Sequence, residues 1–116
     1  MEPIIETIGD VTIVAVNVEE LDASNADIVR RALAPVLKDC RKLVLDLGQV
    51  QFVDSRGCGT ILSCLKQISP NGGDLKLCGV TPQVRMVFDL IRMRNICEIV
   101  NTRDEAVQAF QNRKQP

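Results

Sequence analysis

Leu45-Asp46-Leu47-Gly48-Gln49-Val50-Gln51-Phe52-Val53-Asp54-Ser55-Arg56-Gly57-Cys58-Gly59 joins an apolar run to an acidic, glycine-containing segment. Lys42 to Leu47 is an apolar run that predicts a strand, and Gly48 to Val53 is expected to continue it in extended form. Asp54-Ser55 with the glycines Gly57 and Gly59 then predicts a tight turn. Thr60 to Ser69 follows with Cys58, Leu62 and Leu65 at helical spacing and Ile61 and Ile68 beside them. The chain therefore passes from strand through an acidic-hydroxyl turn into a helix.

The same alternation extends in both directions. Upstream, Pro3 to Ile8 and Val11 to Val18 flank Gly9-Asp10, the pattern of a β-hairpin. Val11, Ile13 and Ala15 fall on one face of the second run, and Thr12, Val14, Val16 and Val18 on the other. Both faces are largely apolar, so this strand is expected to be covered on both sides or to sit beside a partner. Ser24 or Asn25 can cap a helix reaching about Asp39, with Val29, Leu33, Val36 and Cys40 as its core stripe. Pro35 lies inside it and deprives residue 31 of its hydrogen bond, which predicts a kink or two short helices.

Downstream, Pro70-Asn71-Gly72-Gly73 reads as a turn and Asp74 to Gly79 as a strand. Thr81-Pro82 opens a helix, Thr as N-cap and Pro at the first helical position. Val84, Val87, Phe88 and Ile91 are its inward residues, and Asn95 is expected to end it in a left-handed cap. Arg85, Asp89 and Arg92 share one face as an expected ion-pair ladder. Cys97 to Val100 is a short strand. Thr102-Arg103-Asp104-Glu105 is a capping box before a helix burying Ala106, Val107 and Phe110. The tail Asn112 to Pro116 is polar and expected to fray. The order β-β-α-β-α-β-α-β-α predicts an α/β fold. Its sheet is mixed, of about five strands, with an N-terminal antiparallel hairpin and the remainder mainly parallel, beside about four helices.

Composition narrows what such a fold can do. The 116 residues suit one domain. Fourteen Lys plus Arg against fifteen Asp plus Glu leave a net charge of −1, without the basic excess a phosphate-backbone binder needs. Trp and Tyr are absent, which removes the usual platforms for base stacking. Without any His there is no Ser-His-Asp or Cys-His nucleophile and no His-containing zinc set. Cys40, Cys58, Cys64, Cys78 and Cys97 form no C-x-x-C pair and are odd in number. They read as reduced, mostly buried thiols of a cytoplasmic protein. No stretch approaches the length of a membrane span, and the acids of the first ten residues do not suit a signal peptide. No cofactor or metal is expected.

The chemistry of the turn lies in Asp54 and Ser55, at the carboxyl end of a strand and the amino end of a helix. Ligands of α/β sheets collect beyond strand carboxyl ends, and a helix N-terminus presents free N–H groups. Gly57 and Gly59 would let another backbone approach. The plainer reading makes Asp54 or Ser55 only an N-cap and the glycines packing residues. A phosphate cradle is weakly supported, because Gly57-x-Gly59 lacks a third glycine or a following Lys-Ser/Thr. A Gly-x-Ser-x-Gly nucleophile is not met, since position 53 is Val, and no base is present to activate Ser55. The acidic pair of a receiver domain has only Glu19-Glu20 to offer, in the wrong place for the element order.

From about residue 4 to 111 the sequence resembles the STAS domain family in its small free-standing form, the anti-sigma factor antagonist. The resemblance rests on the hairpin, the Leu21-Asp22 step, the Leu-Asp-Leu strand, Val50-x-Phe52-Val53-Asp54-Ser55-x-Gly57-x-Gly59, and Gly79-Val80-x-Pro82. It implies a binding module and not an enzyme. In that family the serine after the Asp, here Ser55, is phosphorylated by the anti-sigma factor, itself a serine kinase, and a metal-dependent phosphatase restores it. The unphosphorylated form holds the kinase. Asp22 and Asp54 match acids near the modified serine, and Asp22, Asp54, Ser55, Arg56 and Gly57 are the expected partner-binding residues. The expected assembly is a monomer or weak dimer.

Three positions depart from the family pattern: Arg56 and Cys58 replace a small residue and Leu, and Glu19 stands where Gly is common. A cation in the first helical turn opposes the dipole, so Arg56 is expected to pair with Asp54, Asp22 or a phosphate on Ser55. The alternatives are a constitutive scaffold or lipid-transport accessory protein of the same family, or a small nucleotide-binding domain using the Gly57/Gly59 turn.

Overall fold

The structure, a computed structural model, describes residues 2–112. Strands β1 (Ile4–Ile8) and β2 (Val11–Ala15) form the antiparallel hairpin, turned by Gly9 at φ 60°. Then follow β3 (Glu20–Leu21), α1 (Ala26–Leu37), β4 (Lys42–Asp46), β5 (Phe52–Val53) and α2 (Ser55–Ile68). The chain continues through β6 (Asp74–Cys78), α3 (Pro82–Leu90), β7 (Glu98–Ile99) and α4 (Arg103–Asn112). The main sheet has the order β1-β2-β4-β6-β7, and every pair after the hairpin is parallel.

Strand alternation divides the core into two layers. Val14, Leu43, Leu45, Leu75 and Leu77 face α1, α2 and α3. Val11, Ile13, Val44 and Cys78 face α4, which contributes Ala106, Val107 and Phe110. β2 is covered on both sides, as its two apolar faces predict. Lys76 projects into the α4 layer with only 4% exposure. Its Nζ lies 2.8 Å from Glu98 Oε1, 3.6 Å from Asp74 Oδ2 and 4.6 Å from the Phe110 ring centre. Charge pairing and the ring face together offset its desolvation.

All five cysteines are buried and free. Burial pushes the thiols of Cys64 and Cys78 up to about 12 and that of Cys97 to about 11. Cys40 and Cys58 are raised for the same reason.

Several local expectations are corrected. Gly48 to Val53 is not one extended run: Gly48-Gln49 turn, and β5 leaves the main sheet to pair with β3 in a separate two-stranded ladder. α2 begins at Ser55, so both glycines lie inside the helix, and its buried line is Cys58, Ile61, Cys64 and Ile68. α1 is one helix through Pro35 and not two, the proline lying exposed in its last turn. α3 stops at Leu90, and Arg92 takes the left-handed position at φ 58° in place of Asn95. Arg92 is thus off the helix, and Arg85, Asp89 and Arg92 form no ion pair among the described residues. Asn112 closes α4, and the rest of the expected polar tail, 113–116, lies outside the described residues.

Candidate functional site

The β3–β5 ladder sets the site. Glu20 pairs with Phe52 and Leu21 with Val53, so the Leu21 carbonyl meets the beginning of α2. Asp54, extended at φ −113° and ψ −170°, is the N-cap. Its Oδ1 accepts the Gly57 N–H at 2.9 Å, while Oδ2 accepts the Ala23 N–H at 3.0 Å. One carboxylate therefore ties the helix to the loop that follows Leu21-Asp22. The Gly57 N–H above all, with those of Ala23 and Arg56, holds the Asp54 carboxyl below the usual aspartate range, against an opposing contribution from burial.

The loop is fixed from its own side as well. Asp22 Oδ1 accepts the Ser24 N–H at 3.0 Å and the Ser24 hydroxyl at 2.6 Å. Asn25 is the N-cap residue of α1, yet its side chain does not cap. Its Oδ1 accepts the Asp22 N–H, and its Nδ2 donates to the Glu20 carbonyl at 2.7 Å. Asp22 and Asp54 thus lie on one connected network. The link is the Ala23 amide, which no side-chain pattern announces.

Gly57 is pressed against β3: a β-carbon there would fall on the Leu21 carbonyl and within 2.9 Å of Val53 Cγ1. Gly59 is different, with nothing within 4 Å of a β-carbon, so the expected close approach holds for Gly57 alone within this chain. Thr60 is buried and donates to the Arg56 carbonyl at 3.2 Å. Ser55, the first residue of α2, is exposed. Its hydroxyl thus projects from a helix end whose backbone is held by the Asp54 cap.

Arg56 pairs with neither Asp54 nor Asp22. Its guanidinium lies 3.5 Å from Asp27 Oδ1 in the first turn of α1, an oxygen it shares with Arg30 at 3.1 Å. All three side chains are more than half exposed, so the contact is weak.

A separate cavity of about 370 Å³ opens at the carboxyl ends of β2 and β4, lined by Ile4, Asn17, Asp46 and Arg103 among others. It includes none of the five expected site residues. Its ionic groups satisfy each other, Arg103 Nε donating to Asp46 at 2.6 Å and Arg103 NH1 to Glu6 at 2.8 Å. Strand order in the main sheet never reverses, so the crevice that doubly wound folds use for nucleotides is missing.

Residues 2–106 match the family model of the STAS domain. The chain belongs to the STAS domain family. Among STAS relatives, BtrV of Bordetella bronchiseptica is 36% identical over 94 residues, covering 81% of this chain and 75% of the relative. The anti-sigma F factor antagonist of Paenibacillus polymyxa is 34% identical over 93 residues, covering 78% and 77%. A crystal structure from Thermotoga maritima superposes with a TM-score of 0.84 at 26% identity, covering 95% of each chain. The α/β architecture expected from the element order is thus a STAS fold. Among the described residues no helix is long and apolar enough to cross a membrane.

Proposed function

We propose that this STAS domain is an anti-sigma factor antagonist, a binding module switched by phosphorylation of Ser55. Its partner is an anti-sigma factor serine kinase, which it holds while Ser55 is unmodified, and a metal-dependent phosphatase reverses the switch. It is a substrate and a partner, not a catalyst, and works in the cytoplasm as a monomer or weak dimer. The observation that carries this reading is the exposed Ser55 hydroxyl on the Asp54-capped end of α2. The antagonist named among its relatives supports the same class.

In the transfer, the Ser55 oxygen forms a bond to the γ-phosphorus of ATP and the bond to the ADP oxygen breaks. The hydroxyl proton passes to a base on the kinase, since this chain has no His. The product adds about 1.5 to 2 negative charges beside Asp54. Both Asp54 oxygens already accept N–H groups, so the Gly57 and Ala23 donors are in use when the phosphate arrives. Like charge and bulk then weaken a contact surface without refolding it.

Phosphopeptide mapping after incubation with the kinase and ATP tests this. Phosphate should appear on Ser55; phosphate on Ser24, Ser63 or Ser69 alone would refute it. Ser55→Ala should bind the kinase and resist switching, whereas Ser55→Asp should weaken binding in part. Binding indifferent to genuine phosphorylation would favour a constitutive scaffold.

A further inference from the structure

α3 lies beside β5. The Thr81 hydroxyl donates to the Val50 carbonyl at 3.1 Å, and Gln83 Nε2 donates to Gln51 Oε1 at 3.4 Å. Gln83, Met86 and Leu90 are spaced i, i+3 and i+7, so Met86 and Leu90 follow Gln83 along the side of α3 that borders β5. Both are open to solvent, at 69% and 84% exposure, while Val84 and Phe88 fill the core from the opposite side. On β5, Val53 points inward and Phe52 is 49% exposed. Single exposed apolar side chains are ordinary, but three on adjoining elements are a candidate contact surface. Phe52 is three residues from Ser55, so the patch continues the candidate site.

The surrounding charge says what kind of partner fits. Arg85, Arg92 and Arg94 have no ion pair among the described residues, and neither do Arg31, Lys38, Arg41 and Lys66 elsewhere on the chain. Arg92 is also the one non-glycine residue in the left-handed region among those described. That is a position where glycine or asparagine is less strained, and such strain clusters at functional sites. A second copy docked about a two-fold axis would set these arginines against their own kind. Three arginines with Asp89 among them fall short of the roughly four to eight clustered basic residues that hold an anionic membrane.

We propose that Phe52, Met86 and Leu90, rimmed by these arginines, form a docking surface for an apolar segment flanked by acids on the anti-sigma factor kinase. This rests on the proposed antagonist function. The Ser55 end would then be the switched half of the interface and the α3 patch its unswitched anchor.

The test uses the full chain and the purified kinase that phosphorylates Ser55. Met86→Glu/Leu90→Glu should raise the KM of this chain as kinase substrate at least tenfold and leave kcat within twofold. Met86→Gln/Leu90→Gln, with the fold checked by circular dichroism, should raise it in the same direction. Arg94→Glu should reduce the salt dependence of binding. An unchanged KM in both folded double variants overturns the docking surface while leaving the Ser55 result standing. Failure of the wild-type chain to bind or be phosphorylated overturns both readings. Patch-dependent binding to phosphatidylserine vesicles, or a dimer in sedimentation that the variants abolish, with KM unchanged, overturns it in favour of a membrane or of self-association.

Discussion

Gly57 and the carbonyl of Leu21 are in such close contact that no β-carbon fits between them. The obstacle is backbone of a paired strand, which cannot swing aside as a side chain would. Gly57→Ala should therefore cost about 2–3 kcal/mol, in the range of core overpacking. Urea unfolding measures it, and a loss below about 0.5 kcal/mol would show that β3 yields freely.

Gly59 predicts the opposite sign. It is exposed, inside α2, and has open space where a β-carbon would go. Gly59→Ala should stabilise the chain by about 0.5–1 kcal/mol through helix propensity alone. Gly59 follows Ser55 by four residues and shares its face, so the same change should weaken kinase binding where the kinase backbone packs there. Higher stability with lower affinity is the expected pair of results, read by unfolding and calorimetry.

Asp54 predicts an acid limb. Its folded carboxyl titrates below the ordinary aspartate value of 3.8, chiefly because of the Gly57 N–H. A depressed folded pKa gives stability that is full above the unfolded value and lost as pH falls through the folded one. Asp54→Asn can keep the Gly57 bond, but its amide nitrogen cannot accept the Ala23 N–H. The variant should melt below wild type at pH 7, and the gap should narrow as pH falls below the ordinary aspartate value of 3.8. A gap independent of pH would contradict the assignment.

Lys76 and Glu98 predict an asymmetry. Lys76→Met removes the buried charge and keeps the volume, so stability should change by less than about 1 kcal/mol in either direction. Glu98→Ala leaves the buried ammonium with the longer 3.6 Å contact to Asp74 and the Phe110 ring face, and should cost more, about 1–2 kcal/mol. Thermal melts of both variants check the order.

What was legible in the sequence followed chemical type. The hairpin was marked by Gly9-Asp10, α3 by Thr81-Pro82 and α4 by the Thr102–Glu105 box, because local hydrogen bonding decides those points. The double coverage of β2 was legible because period-two alternation assigns each face. The β3–β5 ladder was not: it has two residues on each side, 32 positions apart, and neither carries a strand pattern. Asn95 offered the better left-handed residue, yet the chain turns at Arg92, where burial of Met93 and Cys97 outweighs local preference. At the candidate site, residue type placed Asp54 and Ser55 at the entry to a helix and Gly57 at a close backbone approach. The partner of Arg56 was missed because Asp27 comes within reach only once α1 packs beside α2.

The buried thiols give the fold a set of internal clocks. A thiol is alkylated as its thiolate, so a buried one with a raised pKa is labelled almost only when its surroundings open. Cys64 lies in the layer under α1–α3 and Cys78 in the layer under α4. The order in which iodoacetamide reaches them, followed by mass spectrometry, would reveal which layer lifts from the sheet first. It would also report whether phosphate on Ser55 loosens the α1–α3 layer or leaves its opening rate untouched.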